Sequence, residues 1–112
     1  MRLINKKILE KLKRKNKGNT SLTKAIDRLI EDFHTNDWLD QYALALSRKD
    51  ADQVHTDGFY FFDIGVHRTM ILIEFFENEA TVVWAGTHQE YEAVFKNNRN
   101  VIRKWLKVNG WI

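Results

Sequence analysis

Apolar positions in the first third of the chain recur at the spacing of amphipathic helices. In the segment KKILEKLKRKNK, Ile8, Leu9 and Leu12 share one face while basic residues occupy the others, and Gly18 follows as a helix stop. The next segment carries apolar residues at i, i+3, i+4, i+7, i+8 and i+11, namely Leu22, Ala25, Ile26, Leu29, Ile30 and Phe33. These two patterns predict a pair of helices that pack as an antiparallel hairpin.

The middle of the chain has the pattern of β-strands. Residues 59–64, 69–76 and 81–85 are rich in aromatic and β-branched side chains, which favour strands. In the second of these segments both alternating sets of side chains are apolar, as expected inside a sheet that helices cover on one side. Ile71 and Ile73 are therefore predicted to lie in the core.

Three shorter segments are less regular. Arg2-Leu3-Ile4 could form an edge strand, and the polar residues 47–57 predict a loop. Asp37 and Asp40 can each cap a short helix that starts at Trp38. The apolar side of that helix is predicted to hold Leu39, Tyr42, Ala43 and Leu46.

A further helix start is marked by Thr87 and Glu90, which have the spacing of a capping box. His88 is then the first helical residue, beside unpaired backbone N–H groups at the positive end of the helix dipole, where anions bind. Gly86 is expected to let the chain turn sharply from strand into helix. This strand-to-helix corner is the strongest candidate for a functional site.

Residues 96–112 predict one more helix, whose apolar stripe and apolar end would otherwise expose a large patch. The predicted fold is α+β, in the order β-α-α-β-β-β-α with an extra C-terminal helix. A small antiparallel sheet is covered on one face by the helical hairpin. We expect residues 1–112 to form a single domain, with 96–112 as a C-terminal helical extension.

The net charge of +3 conceals an uneven distribution. Residues 1–28 hold ten basic and two acidic side chains, residues 29–95 hold three and thirteen, and residues 96–112 hold five and none. Basic ends on an acidic middle indicate a polyanionic partner bound by the ends. Lysine-rich helix faces that are merely solvated and bind nothing would give the same distribution, so both interpretations stay open.

Composition narrows the remaining choices. The chain has no cysteine, which excludes disulfides and thiolate metal sites and fits a cytoplasmic location. No apolar run approaches the ~20 residues that a membrane span needs, so no membrane association is expected. Phosphate-loop, dinucleotide and zinc-protease motifs are absent, and the four histidines lack ligand-like spacing. We predict no metal and no cofactor, which leaves His, Arg, Lys and Tyr to supply any chemistry.

Several polar side chains could meet a phosphate. Arg68 opens the predicted central strand, and because a guanidinium is not buried unpaired, it either pairs with a carboxylate such as Asp63 or projects into a site. Tyr91 follows His88 by three residues and could either face the site or pack in the core. The candidate RNA-binding residues elsewhere in the chain, each of which could also be simple surface decoration, are Arg48, Lys49, His55, Lys96 and Arg99.

The block W-x-G-T-H-x-E-Y at residues 84–91 resembles the HigB family of bacterial toxins, which belongs to the wider RelE/ParE-like group. Supporting segments are MRLI at the start, N-D-W at 36–38, FYFFDI at 59–64, and Arg68 at the opening of a strand. The similarity extends over roughly residues 1–95. It implies a RelE-like fold, and it implies site residues at Arg68, His88 and Tyr91.

The same resemblance implies a toxin of a type II toxin–antitoxin module. Such a toxin is an endoribonuclease that cleaves mRNA on the ribosome, and a small antitoxin encoded beside it, often a helix-turn-helix protein, neutralises it. RNA cleavage needs no metal when the substrate's own 2′-hydroxyl attacks the neighbouring phosphate. The protein then has to align the chain, move two protons and stabilise the charged transition state.

Residue types at the site are suited to that reaction. An imidazole has an ordinary pKa of ~6.5, so that His88 could act as an acid or a base. Arg68 could clamp a phosphate in bidentate fashion, and Tyr91 could orient the phosphate or stack on a base. The alternative is a ParE-like toxin, or a toxin-derived module, that cuts nothing and acts by binding a protein.

Overall fold

A five-stranded sheet forms the centre of the molecule. The computed structural model describes residues 1–112. Its strands are β1 (Arg2–Ile4), β2 (Asp52–His55), β3 (Phe59–Ile64), β4 (His67–Glu74) and β5 (Glu79–Gly86). They lie in the order β1-β5-β4-β3-β2. Strands β2 to β5 are antiparallel neighbours, whereas β1 runs parallel to β5, so the sheet is mixed and not purely antiparallel as predicted.

Five helices cover this sheet on both faces. They are α1 (Lys7–Lys15), α2 (Thr20–Thr35), α3 (Gln41–Ser47), α4 (His88–Phe95) and α5 (Arg99–Val108). None of them is long and apolar enough to cross a membrane. The predicted cover on one face only was wrong, because α4 and α5 bring a second apolar layer to the opposite face.

The predicted hairpin of α1 and α2 is confirmed. The Lys13 ammonium of α1 lies 2.7 Å from the Asp27 carboxylate of α2, and this hydrogen bond raises the pKa of Lys13. Four residues of the predicted stripe are at most 2% exposed and belong to one core with the inner face of the sheet. These four are Leu22, Ile26, Leu29 and Phe33.

The opposite face is packed by the C-terminal helices. Phe95 of α4 and Ile102 and Leu106 of α5 are buried against Phe61 and Met70 of the sheet. The prediction that residues 96–112 contain a docked helix is therefore confirmed. Burial of these side chains removes apolar surface from water, which stabilises the extension against the sheet.

Residues 47–57 were predicted as a loop, but they contain the edge strand β2. Its backbone pairs with β3 and shifts register between Gln53 and His55, while Val54 is 7% exposed. The strand has four residues and a single buried side chain, so it lacks the alternation that identifies longer strands.

The short helix after α2 also differs from the prediction. It starts at Gln41, with the Asp40 side chain accepting from the Ala43 N–H at 2.9 Å. Leu44 is its buried residue, whereas three of the predicted apolar positions are more than 70% exposed. Trp38 precedes the helix and packs edge-on against Phe33 in the core at 5.1 Å. Seven residues are too few for a periodic pattern to define the buried face.

Candidate active site

Arg68 lies at the start of β4, directly opposite Asp63 of β3. Its guanidinium carbon stands 5.2 Å from the ring centre of Phe61 and 5.0 Å from that of Tyr91, within the range of cation–π contact. Its Nε lies 3.4 Å from the Asp63 carboxylate and its Nη1 lies 3.7 Å from the Asp52 carboxylate. The sequence left pairing and projection into a site as alternatives, and the structure shows both.

Tyr91 has a buried ring and a polar tip. The ring packs edge-on against Phe61 at 5.1 Å. The hydroxyl accepts from Arg68 Nη1 at 3.2 Å and donates to Asn97 Oδ1 at 2.9 Å. Core packing and a site role were the two alternatives for this residue. The structure shows the ring packed in the core and the hydroxyl in a polar environment, so the site role stays a prediction.

The helix that carries Tyr91 begins with the predicted capping box. The Thr87 hydroxyl accepts from the Glu90 N–H at 3.2 Å, and the Glu90 carboxylate accepts from the Thr87 N–H at 2.8 Å. Gly86 is required for space rather than for an unusual turn. A Cβ atom there would lie 2.6 Å from the indole of Trp84, and Gly86 is not among the residues with positive φ.

His88 is the first residue of α4, as predicted, and its side chain is 57% exposed. Its Nε2 lies 3.9 Å from the Glu92 carboxylate one turn further on. The expectation of unpaired N–H groups beside it was wrong in part. The His88 N–H donates to Nδ1 of His67 at 2.8 Å, and the Glu90 N–H is held by the capping box.

These side chains line one open cleft of about 350 Å³, here called the central cleft. The residues that line it include Arg68, His88, Tyr91 and Asn97. It also contains three carboxylates, from Asp52, Asp63 and Glu92. The cleft thus combines one fixed positive charge, an imidazole and a phenol, and carboxylates outnumber its cations.

Three of the other candidate residues, His55, Lys96 and Arg99, lie outside the lining of the central cleft. His55 and Arg99 line a neighbouring cleft of about 410 Å³ between β2 and α5. The Arg99 guanidinium donates to the Gln53 carbonyl at 2.9 Å and lies 3.8 Å from the Asp52 carboxylate. Lys96 is exposed just after α4, with φ of 52°.

Arg48 and Lys49 follow α3. Arg48 is 15% exposed and pairs with Asp32 at 2.9 Å and Asp50 at 2.6 Å. Burial tends to lower the pKa of this guanidinium, but its hydrogen bonds to the two carboxylates outweigh burial and raise that pKa. Its charge is already neutralised inside the protein, whereas Lys49 is exposed in the turn before β2.

Three site residues were missed by sequence reasoning. Asp52 lies in the segment predicted as a loop and Asn97 lies in the predicted C-terminal extension, and neither is part of a recognisable motif. His67 directly precedes Arg68 in the sequence. This position next to a candidate residue is the one signal that could have identified His67. Contacts between distant parts of the chain bring Asp52 to Arg68 and His67 to His88, whereas Asn97 contacts Tyr91, 6 residues before it. A single sequence does not show such side-chain contacts. No group of three or more His, Cys, Asp or Glu residues in the structure is arranged to hold a metal ion.

Comparison with known families adds a separate line of evidence. A family model described as HigB_toxin, the RelE-like toxic component of a toxin-antitoxin system, matches residues 22–94. The matched span contains Arg68, His88 and Tyr91 and leaves α1 and α5 outside. No individual curated protein matches the chain significantly.

Proposed function

The chain belongs to the HigB family of RelE-like toxins of toxin–antitoxin systems, and on that basis we propose that it is a metal-independent endoribonuclease that cleaves mRNA on the ribosome. The mixed α+β fold with five strands and five helices is consistent with a RelE-like fold. Membership in the family implies an antitoxin as partner. We further propose that this antitoxin is a small helix-turn-helix protein and that the toxin acts in the cytoplasm.

One observation carries the proposal. Arg68, His88 and Tyr91 come from β4 and from two positions of α4, and they line the same cleft. Arg68 and Tyr91 are joined by a hydrogen bond of 3.2 Å. A guanidinium can stabilise the charge that develops on a phosphate, and an imidazole can transfer a proton, and RNA cleavage by internal attack requires both.

In the proposed reaction the RNA 2′-oxygen forms a bond to the adjacent phosphorus while the bond to the 5′-oxygen breaks. The products are a cyclic 2′,3′-phosphate and a free 5′-hydroxyl. Arg68 neutralises the charge that develops on the phosphate oxygens. His88 removes the proton from the 2′-hydroxyl, and solvent water in the open cleft donates a proton to the departing 5′-oxygen. Tyr91 fixes the position of the guanidinium.

A second candidate function is a toxin that binds a protein and cuts nothing. The observation that favours it is the charge of the central cleft, where Asp52 and Asp63 flank Arg68 and Glu92 lies 3.9 Å from His88. Those carboxylates oppose the entry of a phosphate, and they would not disturb a contact with a basic or neutral protein surface.

The deciding experiment is induction of the wild type, Arg68→Ala and His88→Gln in cells, followed by mapping of mRNA 5′ ends. The nuclease proposal expects cleavage and growth arrest with the wild type alone, because the loss of one proton-transfer group reduces rates by ~10²–10⁴-fold. His34→Gln is the matched control, since His34 is exposed on α2 outside the cleft and should leave cleavage intact.

Folding and antitoxin binding are measured in parallel for each variant. Arg68→Lys provides a second test if the alanine variant does not fold, because it keeps a positive charge beside the rings of Phe61 and Tyr91. Cleavage that persists with His88→Gln would remove His88 from the mechanism. Arrest by the wild type without any new 5′ ends would favour the protein-binding alternative.

A further inference from the structure

The central cleft continues into a second cleft on the side of helix α2. This α2 cleft has a volume of about 390 Å³ and shares Asp63 and Gly65 with the central cleft. Its basic residues include Lys24 and Arg28, which are exposed and one helical turn apart. A ligand that leaves the central cleft past Gly65 therefore meets two cations.

On its other side the central cleft adjoins the α5 cleft, the one between β2 and α5. Asp52 lines the central cleft and links it to Arg99 of the α5 cleft, because one carboxylate oxygen lies 3.7 Å from Arg68 and the other lies 3.8 Å from Arg99. The α5 cleft is lined by no acidic residue. It shares Arg103 with a further hollow along α5 that also contains Lys107.

Four basic side chains along this path are free to bind a ligand. Lys24, Arg28, Arg103 and Lys107 are exposed. None of them takes part in the ion pairs of the molecule. They come from the two basic ends of the sequence, which the fold thus brings to opposite sides of one cleft.

We propose that the α2 and α5 clefts bind the RNA phosphates on the two sides of the phosphate that is cleaved in the central cleft. This inference rests on the proposed nuclease function. Affinity for a polyanion comes from several distributed cations, and the central cleft with its single guanidinium and three carboxylates does not supply them. Lys24 and Arg28 on one flank, and Arg103 and Lys107 on the other, supply cations that form no ion pair within the protein.

An added β-strand from a protein partner fits the α5 cleft less well. Strand β2 is the edge of the sheet, but Arg99 already donates to the Gln53 carbonyl at 2.9 Å. The His55 carbonyl accepts from the Gly58 N–H at 3.1 Å and from the Gln53 side chain at 3.3 Å. With these acceptors occupied, the edge offers little for strand pairing, while the open cations suit phosphates.

Binding of a fluorescent single-stranded RNA tests the proposal, measured by anisotropy over a range of salt concentrations. All proteins carry His88→Gln so that the RNA stays intact. Two pairs of substitutions remove two charges each, Lys24→Ala with Arg28→Ala and Arg103→Ala with Lys107→Ala. The matched control is Lys7→Ala with Lys11→Ala, which has the same spacing on α1 and lines none of these clefts.

Each flank pair is expected to weaken RNA binding on the order of tenfold at low salt and to reduce the salt slope by about 1.4, or about 0.7 for each charge. The control pair should do neither. Flank pairs that behave like the control would overturn the proposal. Flank pairs that weaken antitoxin binding but leave RNA affinity unchanged would also overturn the proposal, because the cations would then bind the antitoxin rather than RNA. A wild type that binds RNA through both flanks but cleaves no mRNA would refute the nuclease function alone.

Discussion

The central cleft and the α5 cleft adjoin at the ion pair between Asp52 and Arg99, yet their chemical character is opposite. The central cleft has a guanidinium, an imidazole and a phenol together with three carboxylates. The α5 cleft has Arg99 and Arg103 and no carboxylate in its lining. The difference indicates that the groups suited to bond cleavage and the groups suited to holding a polyanion occupy separate places in this protein.

Such a division has a physical reason. Arg68 is held at a fixed position by Asp52, Asp63 and the Tyr91 hydroxyl, which a catalytic clamp requires. The same carboxylates offset its charge and weaken its attraction for phosphate. Arg103 is exposed and takes part in none of the ion pairs of the molecule, so no such contact fixes its position and its full charge remains available for binding.

Substitution of arginine by lysine separates the two roles with the largest expected effect. Arg68→Lys keeps the charge but removes the planar fork that lies over Phe61 and Tyr91. We expect the single-turnover rate of cleavage to fall roughly 10²-fold and RNA affinity to stay nearly constant. Arg28→Lys in the α2 cleft should change neither quantity, since charge alone is needed there. Equal losses in the two variants would contradict the division.

Substitution of Asn97, which also lines the central cleft, is expected to reduce the cleavage rate by a smaller factor. Its Oδ1 accepts a hydrogen bond from the Tyr91 hydroxyl, with 2.9 Å between the two oxygens. Its φ is 47°, a conformation that glycine adopts freely. Asn97→Gly thus removes the acceptor without backbone strain. We expect cleavage to slow roughly three- to tenfold, the cost of one hydrogen bond, while RNA affinity stays constant. Asn78→Gly, at a similar φ of 55° in the β4–β5 turn, is the control. If both variants slow cleavage equally, Asn97 does not position Tyr91.

Asp52→Asn should give the smallest change of the three, and it should increase RNA affinity. Removal of the negative charge that lies between Arg68 and Arg99 is expected to tighten RNA binding about two- to fivefold, in line with ~1 kcal/mol for charges 4 Å apart in water. Glu77→Gln, an exposed neutralisation in the turn after β4, controls for net charge. Weaker binding by Asp52→Asn would show that this carboxylate serves mainly to hold Arg68 and Arg99 in place.

The sequence predicted the parts of the molecule that depend on local signals. The capping box at Thr87 and Glu90 and the stripe of α2 were correct because neighbouring residues determine them. Strand β2 was missed because its stability comes from pairing with β3 and from one buried valine. The second helical layer was missed for a similar reason, since the helix itself was predicted but not the sheet face on which it packs.

The candidate site shows the same limit. Arg68, His88 and Tyr91 were chosen from a motif and lie together in the structure. The contacts made by Asp52 and Asn97 join positions that are distant in the sequence or outside any motif, so residue type alone did not reveal them. The sequence therefore predicted which chemical groups lie in the cleft, but it did not predict the residues that hold those groups in position.

The most direct test of this division is the single-turnover cleavage rate on mRNA-programmed ribosomes, measured as a function of toxin concentration. Three proteins are compared: the wild type, Arg68→Lys, and the pair Arg103→Ala with Lys107→Ala. We expect Arg68→Lys to lower the maximal cleavage rate and to leave the half-saturating toxin concentration unchanged. The α5 pair should raise the half-saturating concentration and leave the maximal rate unchanged. A result in which both variants change the same parameter would contradict the separation of chemistry from RNA binding.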